Sequence, residues 1–457
     1  MGADVVDDAR VAVTHEPPDD VGTHSAKTDH PELHGRSLYA RSCGHGRPDE
    51  RGARHGLCNG VGPGVEQVTA IEICEADGAL DTLEAWLRGH GFFVPGGEHL
   101  VADLYLGYGL SAKIRRQLSP APPEPCPLPL VACSVRSAEY IVNNDNGSDD
   151  RNNGSGGGSS SDGDTGSHSD FAIGAWRQTW SAAEYAAAVA HVRSAIERGD
   201  VYQVNLVQHL SAPFTGDPVA LASRLSALTP HNPEPYRGNG WTIVSGSPEL
   251  FLARRGRRVW TCPIKGTRPA GAARELAGSA KDAAEHVMIV DLERNDLARV
   301  CEPGSVRWPE LMETRALAGV EHMVSTVEGT LREGVGLAEL LGATFPGGSI
   351  TGAPKIAAVD LIAELEPVGR GASMGALGQV YGNGDLDLAL TIRTFAVAEG
   401  RIHLWVGGGI VWDSDPQAEI DESWLKADPL LRAIGAPLDA GAACIPPLVE
   451  SRTVAGS

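Results

Sequence analysis

The 457-residue chain carries 59 Asp and Glu residues against 38 Lys and Arg residues, and its formal net charge of −21 makes nucleic acid and anionic membrane surfaces unfavourable partners. Hydrophobic residues make up 42% of the chain, enough for a substantial core, and no apolar run reaches the roughly 18 residues of a membrane-spanning helix. Because the first residues, MGADVVDDAR, lack the order of a signal peptide, we expect a cytoplasmic protein. Eight cysteines without a C-x-x-C pair predict reduced, mostly structural thiols.

Composition divides the chain into five segments. Residues 1–63 are rich in Asp, Gly, Arg and Pro, which predicts a disordered extension. Residues 64–142 alternate short apolar runs with Gly and Pro, as strands do, with one helix near Leu80–Arg88. Residues 143–170 contain no hydrophobic side chain to offset the entropy of ordering them, which predicts a disordered insertion. We interpret 171–435 as the principal domain, 64–142 as the amino-terminal part of the same fold, and 436–457 as a tail.

A helix and a strand follow the insertion. Ser181 and Glu184 have the spacing of a capping box, and apolar residues then recur at helical intervals. The next segment, Val201–Leu210, has the alternation of a strand, and this puts the amide side chains of Gln203 and Asn205 on one face.

Lys265 is the most distinctive residue of the second half of the chain. It lies in the sequence PIKGT, between a proline and a glycine and after an apolar run, where a long amine is suited to act as a nucleophile. A reactive lysine needs a pKa below the ordinary value of about 10.4, which burial or nearby cations would provide. Glu249 precedes it by a strand, a turn and a strand, so we expect the two side chains to meet across a hairpin. The alternative is an ion pair that only stabilises the fold.

Three more polar, glycine-rich clusters follow Lys265. They are DLERNDL (291–297), FPGGSITGAPK (345–355) and GGGIVWDSDPQAEIDE (407–422). The second begins like a phosphate-binding loop, but it continues with Ala353-Pro354-Lys355 where such a loop needs Gly-Lys-Ser/Thr, which argues against nucleotide binding. Pro354 instead suits the first turn of a helix that runs to about Leu365.

Taken in order, these motifs identify a resemblance to the chorismate-utilising enzymes, over about residues 180–431. The resemblance implies an α+β fold of large antiparallel sheets flanked by helices, with 171–435 as the chorismate-binding catalytic domain. The lysine of PIKGT is similar to the aminodeoxychorismate synthase branch of the family, whereas anthranilate synthases carry alanine there. Gln203 stands where isochorismate and salicylate synthases have a water-activating lysine, which argues against those two activities.

The resemblance also implies roles for individual residues. Lys265 would add to C2 of chorismate as C4 loses its hydroxyl, Glu249 would transfer the proton, and His322 would lie near the C4 hydroxyl. Arg393 would clamp a carboxylate, because a guanidinium group binds carboxylate in a bidentate manner. The other implied substrate contacts are Gln203, Asn205, Gly266, Thr267, Ser349, Tyr381, Gly407, Gly408, Gly409 and Lys426.

A magnesium site is the one cofactor that the resemblance implies. Glu285 and Glu422 match the two metal ligands of the family, and Glu419, on the same helical face as Glu422, would hold a metal-bound water. Glu293, the variable position of the DLxRND motif, is interpreted as an ordinary surface carboxylate.

We therefore expect a transferase that aminates chorismate to 4-amino-4-deoxychorismate on the route to 4-aminobenzoate and folate. No G-x-C-x-G glutaminase elbow occurs in the sequence, so ammonia would be taken directly or from a separate glutamine amidotransferase subunit, a partner that the resemblance alone implies. One alternative is an anthranilate synthase, which would also eliminate pyruvate. Another is a non-catalytic chorismate-binding or regulatory subunit, which would have no reason to keep the whole polar set.

Overall fold

A computed structural model describes residues 69–117, 120–137, 170–269, 271–317 and 320–436. These residues all belong to one compact unit. The predicted disordered extension (1–63) lies outside the described residues, as do the predicted insertion apart from Asp170 and the predicted tail apart from Ala436.

Eighteen strands are present in the described parts of the chain. The first ten, in chain order, are β1 (Thr69–Ile73), β2 (Leu100–Leu106), β3 (Val131–Ser137), β4 (Phe171–Ile173), β5 (Arg177–Gln178), β6 (Gln203–Gly216), β7 (Tyr236–Arg237), β8 (Trp241–Ser245), β9 (Leu250–Arg255) and β10 (Arg258–Cys262). The remainder are β11 (Ile264–Pro269), β12 (Arg307–Leu317), β13 (Val320–Thr330), β14 (Gly352–Ala353), β15 (Ala376–Tyr381), β16 (Leu386–Leu390), β17 (Thr394–Ala398) and β18 (Arg401–Ile410).

The strands form two sheets. The ten-stranded sheet has the order β1-β3-β2-β15-β16-β9-β10-β13-β11, with β12 also paired to β13. The eight-stranded sheet has the order β14-β6-β18-β17-β8-β7, with β4 and β5 also paired to β6. Each pairing in the described residues is antiparallel, from the β1–β3 pair to the β7–β8 pair. The predicted α+β fold of large antiparallel sheets is confirmed.

Helices cover these sheets. They are α1 (Ala79–Gly89), α2 (Ala182–Glu197), α3 (Ala220–Leu225), α4 (Ala273–Ala277), α5 (Ala280–Ala298), α6 (Leu337–Thr344), α7 (Lys355–Leu365) and α8 (Pro416–Ala433), with short 3₁₀ helices at Tyr108–Ile114 and Ser226–Leu228. The predicted capping box is present at the start of α2, where the Ser181 hydroxyl accepts the Glu184 N–H and the Glu184 carboxylate accepts the Ser181 N–H. Among the residues described, no helix is both long and apolar enough to cross a bilayer.

The hydrophobic core lies between and beside the two sheets. One buried cluster draws side chains from both sheets, including Leu104 and Leu252 from the larger and Ile243 and Ile410 from the smaller. A second cluster packs residues of the smaller sheet against α3 and α8; its members include Leu221, Phe395, Leu404 and Leu430. The smaller sheet is therefore covered on both faces.

Three local expectations need correction. The strand predicted at Val201 begins at Gln203, because residues after the left-handed Gly199 (φ 81°) form a turn that leaves Tyr202 65% exposed. Pro354, predicted in the first turn of a helix, is instead the N-cap residue of α7, and the helix begins at Lys355. Cys74 is disulfide-bonded, unlike the free thiols of Cys126, Cys133, Cys262 and Cys301, because spacing along a chain does not show which sulfur atoms meet in space.

A fully buried ion pair joins α7 to the smaller sheet. Arg370 is 1% exposed, and its guanidinium lies 2.7 Å from the carboxylate of Glu366. The same guanidinium donates to the carbonyl oxygens of Ile350 and Asn205, both at 2.8 Å, while Glu366 accepts the Val207 N–H at 3.1 Å. One side-chain pair thus holds the loop before β14 against β6.

Replacing Arg370 with methionine is expected to lower the free energy of unfolding by about 3–5 kcal/mol, because Glu366 is left as an unpaired buried charge. The measurement is urea unfolding at neutral pH. The matched control is Arg198→Met, which breaks the exposed Arg198–Asp200 pair and should cost no more than about 1 kcal/mol. Equal losses in the two variants would contradict the prediction.

Candidate active site

Two segments that cross between the sheets form the base of the site. Residues 246–249 lead from β8 in the smaller sheet to β9 in the larger one, and residues 391–393 lead from β16 back to β17. The crossings lie side by side, because the Gly246 N–H donates to the Arg393 carbonyl (2.9 Å) and the Leu390 N–H donates to the Glu249 carbonyl (2.9 Å). Glu249 and Arg393 are thereby brought together.

Arg393 has an uncommon backbone conformation. Its φ of 52° lies in the left-handed region, which few non-glycine residues adopt. Its guanidinium group makes no hydrogen bond or ion pair with another described residue. Burial lowers the pKa of Arg393, and the nearby charge of Glu249 opposes this effect. A partly buried guanidinium with free donors is suited to bind a carboxylate.

Lys265 is aimed into the site by an irregularity in β11. The pairing of β11 with β13 shifts register between Lys265 and Thr267, and the intervening Gly266 has a φ of 62°. Such a bulge turns a side chain away from its regular direction. The partly buried Lys265 donates from Nζ to the carbonyl oxygen of Ser349 at 3.1 Å.

Ser349 connects Lys265 to Glu249. Its hydroxyl donates to Oε1 of Glu249 at 2.8 Å, so the two predicted partners meet at this residue. Burial raises the pKa of Glu249, opposed by the Ser349 hydrogen bond and by the charge of Lys265. Burial also lowers the pKa of Lys265, opposed by the charges of Glu249 and Glu285. The direction for Lys265 is the one expected of a nucleophilic amine.

His322 lies across the bulge from Lys265. It is 2% exposed, and its Nδ1 is 2.9 Å from the carbonyl oxygen of Gly266. Burial is the main cause that lowers the pKa of His322, and the charges of Arg393 and Lys426 add to it. The neutral ring is therefore favoured. Thr267 pairs with His322 in the β11–β13 register, and its side chain lies outside the described part of the structure.

The three consecutive glycines of β18 form one wall. A Cβ atom on Gly407 would lie 1.9 Å from the Leu206 carbonyl oxygen, so this position needs glycine for the close approach of β6. A Cβ atom on Gly408 would lie on the opposite face of β18, 3.3–3.4 Å from the side-chain ends of Glu419, Glu422 and Lys426. Lys426 Nζ donates to the Gly407 carbonyl at 2.9 Å and lies 2.7 Å from Glu422 Oε1.

The three carboxyl groups predicted to serve magnesium come from two helices. Glu419 and Glu422 lie on α8 beside Gly408, and Glu285 lies on α5, close enough that its pKa, raised mainly by burial, responds to the charges of Lys265 and Glu422. Glu419 also accepts the Ser414 hydroxyl at 2.6 Å. In the described residues no three His, Cys, Asp or Glu side chains are placed to share one metal ion. The oxygen donors fit a hard cation that keeps several waters, as magnesium does.

The predicted amides of β6 are buried against the glycine strand. Gln203 and Asn205 are 1% and 7% exposed, and Gly409 pairs with Asn205 in the β6–β18 register. A Cβ on Gly409 would lie 2.0 Å from Nε2 of Gln203. Their side-chain oxygens, Oε1 of Gln203 and Oδ1 of Asn205, accept no hydrogen bond from the described residues. They are therefore unused acceptors inside the protein.

Tyr381 does not join this group, which corrects the prediction. Tyr381 is the last residue of β15, and Ala376 is the first. The residue before the strand, Gly375, is hydrogen-bonded to Thr391, which is two residues from Arg393. Five residues of extended strand span about 17 Å. The Tyr381 hydroxyl donates to Gln379 at 3.0 Å, and its raised pKa, due first to burial, responds to charges outside the site: Arg255, Asp387, Arg136 and Asp103.

Two charged residues of α5 were misjudged or missed from the sequence. Glu293, interpreted as a surface carboxylate, is 7% exposed and accepts a hydrogen bond from the Thr261 hydroxyl at 3.2 Å, because its face of α5 packs on the larger sheet.

Lys281 lies one turn before Glu285, and its positive charge favours the ionised forms of Glu285, Glu419 and Glu422. The spacing of four residues between Lys281 and Glu285 indicates, from the sequence alone, that the two side chains are neighbours on one helix face.

Residues 98–432, well over half of the chain, match the family described as chorismate binding enzyme, and the chain belongs to this family. It is similar to anthranilate synthase component 1 of Streptomyces coelicolor (42% identity over 279 residues, 58% of this chain and 54% of that protein) and to aminodeoxychorismate synthase component 1 of Klebsiella aerogenes (42% over 272 residues, 57% and 60%). The matching part therefore spans about half to three fifths of the curated relatives.

Solved structures show the same fold. Anthranilate synthase component I from Streptococcus pneumoniae superimposes with a TM-score of 0.66 at 25% identity, covering 80% of this chain and 89% of that one. The menaquinone-specific isochorismate synthase from Escherichia coli has a TM-score of 0.51 at 16% identity, covering 80% and 94%. The second likeness concerns the fold alone.

Alanine substitutions at Gly407 and Gly408 should have different effects on stability. Gly407→Ala forces β18 away from the β6 backbone and is expected to cost about 1–3 kcal/mol, whereas at Gly408 the flexible side-chain ends can move aside. Urea unfolding of both variants tests this, with each serving as the other's control. An equal loss at Gly408 would mean that Glu419, Glu422 and Lys426 are rigidly fixed.

Proposed function

We propose that this chain is an enzyme that aminates chorismate to 4-amino-4-deoxychorismate, the product named in its relative aminodeoxychorismate synthase component 1. The observation that carries the proposal is the environment of the Lys265 amine. It is held by the Ser349 carbonyl, and the same residue's hydroxyl binds the carboxyl group of Glu249. This arrangement supports the proposal, because Ser349 contacts both the amine proposed as nucleophile and the carboxyl group proposed as acid–base group.

In the first step the neutral Lys265 amine attacks C2 of the ring. The C2–N bond forms, the ring double bonds shift, and the C4–O bond breaks. Glu249, whose pKa is raised by burial, first takes the proton of the Lys265 ammonium group to give the neutral amine. It passes this proton to the departing hydroxyl, which leaves as water, and then takes the proton that the substituted amine loses. Arg393 and Lys426 bind the two carboxylates of chorismate, and the guanidinium of Arg393 is suited to this role because no side chain among the described residues pairs with it.

In the second step ammonia adds at C4. The C4–N bond forms, the ring electrons shift back, and the C2–N bond breaks. Lys265 leaves as a free amine after taking the proton that the added ammonia gives up. The enolpyruvyl group stays on the product. Bound magnesium, with Glu285 and Glu422 as ligands and Glu419 acting through water, would neutralise carboxylate charge.

A glutamine amidotransferase subunit is the proposed source of ammonia in a cytoplasmic enzyme. The proposal draws on the component 1 names of the relatives and on the lack of a G-x-C-x-G motif in the sequence. The 4-amino-4-deoxychorismate produced would be used for folate synthesis.

Anthranilate synthesis is the second candidate. The specific observation in its favour is that a relative of that name, from Thermus thermophilus, is 44% identical over 262 residues. The residue that opposes it is Lys265, since the family resemblance has alanine there in anthranilate synthases. The two activities differ in whether pyruvate is released.

The deciding experiment is incubation of the purified chain with chorismate, Mg²⁺ and ammonium, followed by liquid chromatography with mass detection. We expect a product that keeps the enolpyruvyl group and yields 4-aminobenzoate when a lyase is added. Anthranilate with pyruvate would reassign the chain to the second candidate. Unchanged chorismate would favour a non-catalytic subunit.

Lys265→Ala is expected to reduce ammonia-dependent formation of 4-amino-4-deoxychorismate to the background rate, because the proposed covalent step loses its nucleophile. The control is Lys113→Ala, at an exposed lysine of a 3₁₀ helix outside the site. A Lys265→Ala enzyme that keeps the wild-type rate would refute the covalent step.

Glu419→Gln is expected to raise the Mg²⁺ concentration for half-maximal rate by about 10–100-fold, the usual effect of losing a group that orients metal-bound water. Calorimetric titration with Mg²⁺ gives a second readout that does not need turnover. Glu364→Gln, at an exposed carboxylate of α7, is the control. An unchanged Mg²⁺ affinity would remove Glu419 from the metal site.

A further inference from the structure

Glu293 is a second buried carboxyl group beside Lys265. It lies on α5 and accepts one hydrogen bond, from the Thr261 hydroxyl to Oε2 at 3.2 Å. Its Cγ is 3.2 Å from the place that a Cβ on Gly348 would occupy, so the side chain packs directly on the backbone of that glycine. Gly348 is the residue before Ser349.

Glu249 and Glu293 therefore flank the same pair of residues. The Ser349 hydroxyl binds Glu249 at 2.8 Å, the Ser349 carbonyl binds Lys265 at 3.1 Å, and Glu293 packs on Gly348. The two glutamates are 4% and 7% exposed. Two ionised carboxylates in such a place would repel each other with little screening by water.

The two cations near Glu293 are both shared with other carboxyl groups. The titratable groups that act on it are Glu249 and Asp296, with Lys265, Lys355 and the Cys262 thiol. Lys355 is paired with Asp296 and also donates to the carbonyls of Pro346 (2.6 Å) and Thr344 (3.3 Å). This leaves Lys265 as the remaining cation near Glu293, and Lys265 is shared with Glu249, which also faces Arg393. Burial, followed by the charge of Glu249, raises the pKa of Glu293 to about 8.

We propose that Glu293 is a positioning residue of this site, which keeps a proton while the enzyme works, so that the two glutamates flanking Gly348 and Ser349 carry one carboxylate charge and not two. The neutral acid packs against Gly348, next to Ser349, and leaves Glu249 as the charged member of the two glutamates. When Glu293 loses its proton, the added negative charge favours the protonated form of the Lys265 amine. The consequence for catalysis depends on the proposed function, but the protonation state of Glu293 does not.

Glu293→Gln is the informative variant, because glutamine keeps the shape and the acceptor for Thr261 but cannot ionise. Asp291→Asn, at an exposed carboxylate two residues away on the same helix, is the control. The first measurement is the infrared difference spectrum between wild type and Glu293→Gln. We expect a band of a protonated carboxyl group at pH 7 that is lost as pH rises through about 8. No such band at pH 7 would overturn the proposal.

Thermal unfolding against pH gives a second, independent test. Folding raises the pKa of Glu293 from 4.5 to about 8, so the wild type loses stability relative to Glu293→Gln as pH rises between these values, and the difference then levels off. Asp291→Asn should follow the wild-type curve in this range. Parallel curves for wild type and Glu293→Gln would contradict the proposal.

The pH dependence of turnover tests the link to Lys265. At pH 7 the two enzymes should have kcat values within about twofold, and above about pH 8 Glu293→Gln should be the faster, because no new charge holds the proton on Lys265. A kcat ratio that does not change with pH would refute the positioning role. If no chorismate activity exists, the infrared and unfolding measurements still decide the protonation state, so failure of the proposed function remains distinguishable.

Discussion

The buried pair of Glu366 and Arg370 is the interaction on which the geometry of the site depends. Guanidinium offers donors in a fixed plane, and here they reach a carboxylate, the Ile350 carbonyl and the Asn205 carbonyl at 2.7–2.8 Å. Ile350 follows Ser349, whose carbonyl holds Lys265 and whose hydroxyl holds Glu249. The positions of the Lys265 amine and the Glu249 carboxyl group therefore depend on an ion pair that contacts neither of them.

The second constraint is the double crossing between the sheets. The segments before β9 and before β17 are joined by backbone hydrogen bonds, and Ser245 and Thr394 add a side-chain bond of 2.9 Å where they meet. A segment that leaves one sheet for another cannot satisfy its backbone groups in a ladder. These two satisfy each other, and as a result Glu249 and Arg393 come from distant parts of the chain to one place.

Sequence patterns predicted what depends on local chemistry. The capping box at Ser181 needs only four consecutive residues, and it is present in the fold. Tyr381 was misplaced because a contact implied by the resemblance does not show which way β15 runs in the sheet. Glu293 was misjudged because a charged residue on a helix is exposed by default, and only the packing of α5 on β10 buries it. Long-range packing is the information that one sequence does not contain.

The overall acidity of the chain does not oppose an anionic substrate. At physiological ionic strength, exposed charges more than about 8–10 Å apart are largely screened, so most of the net charge of −21 does not reach the site. What acts there is a local group of cations, Lys265, Arg393 and Lys426, together with the nearby carboxyl groups of Glu249, Glu285 and Glu422. Each carboxylate in this group competes with a substrate carboxylate for the same cations. A proton retained on Glu293 removes one competitor, which makes the binding of a dianion and the reactivity of Lys265 depend on the same charge balance.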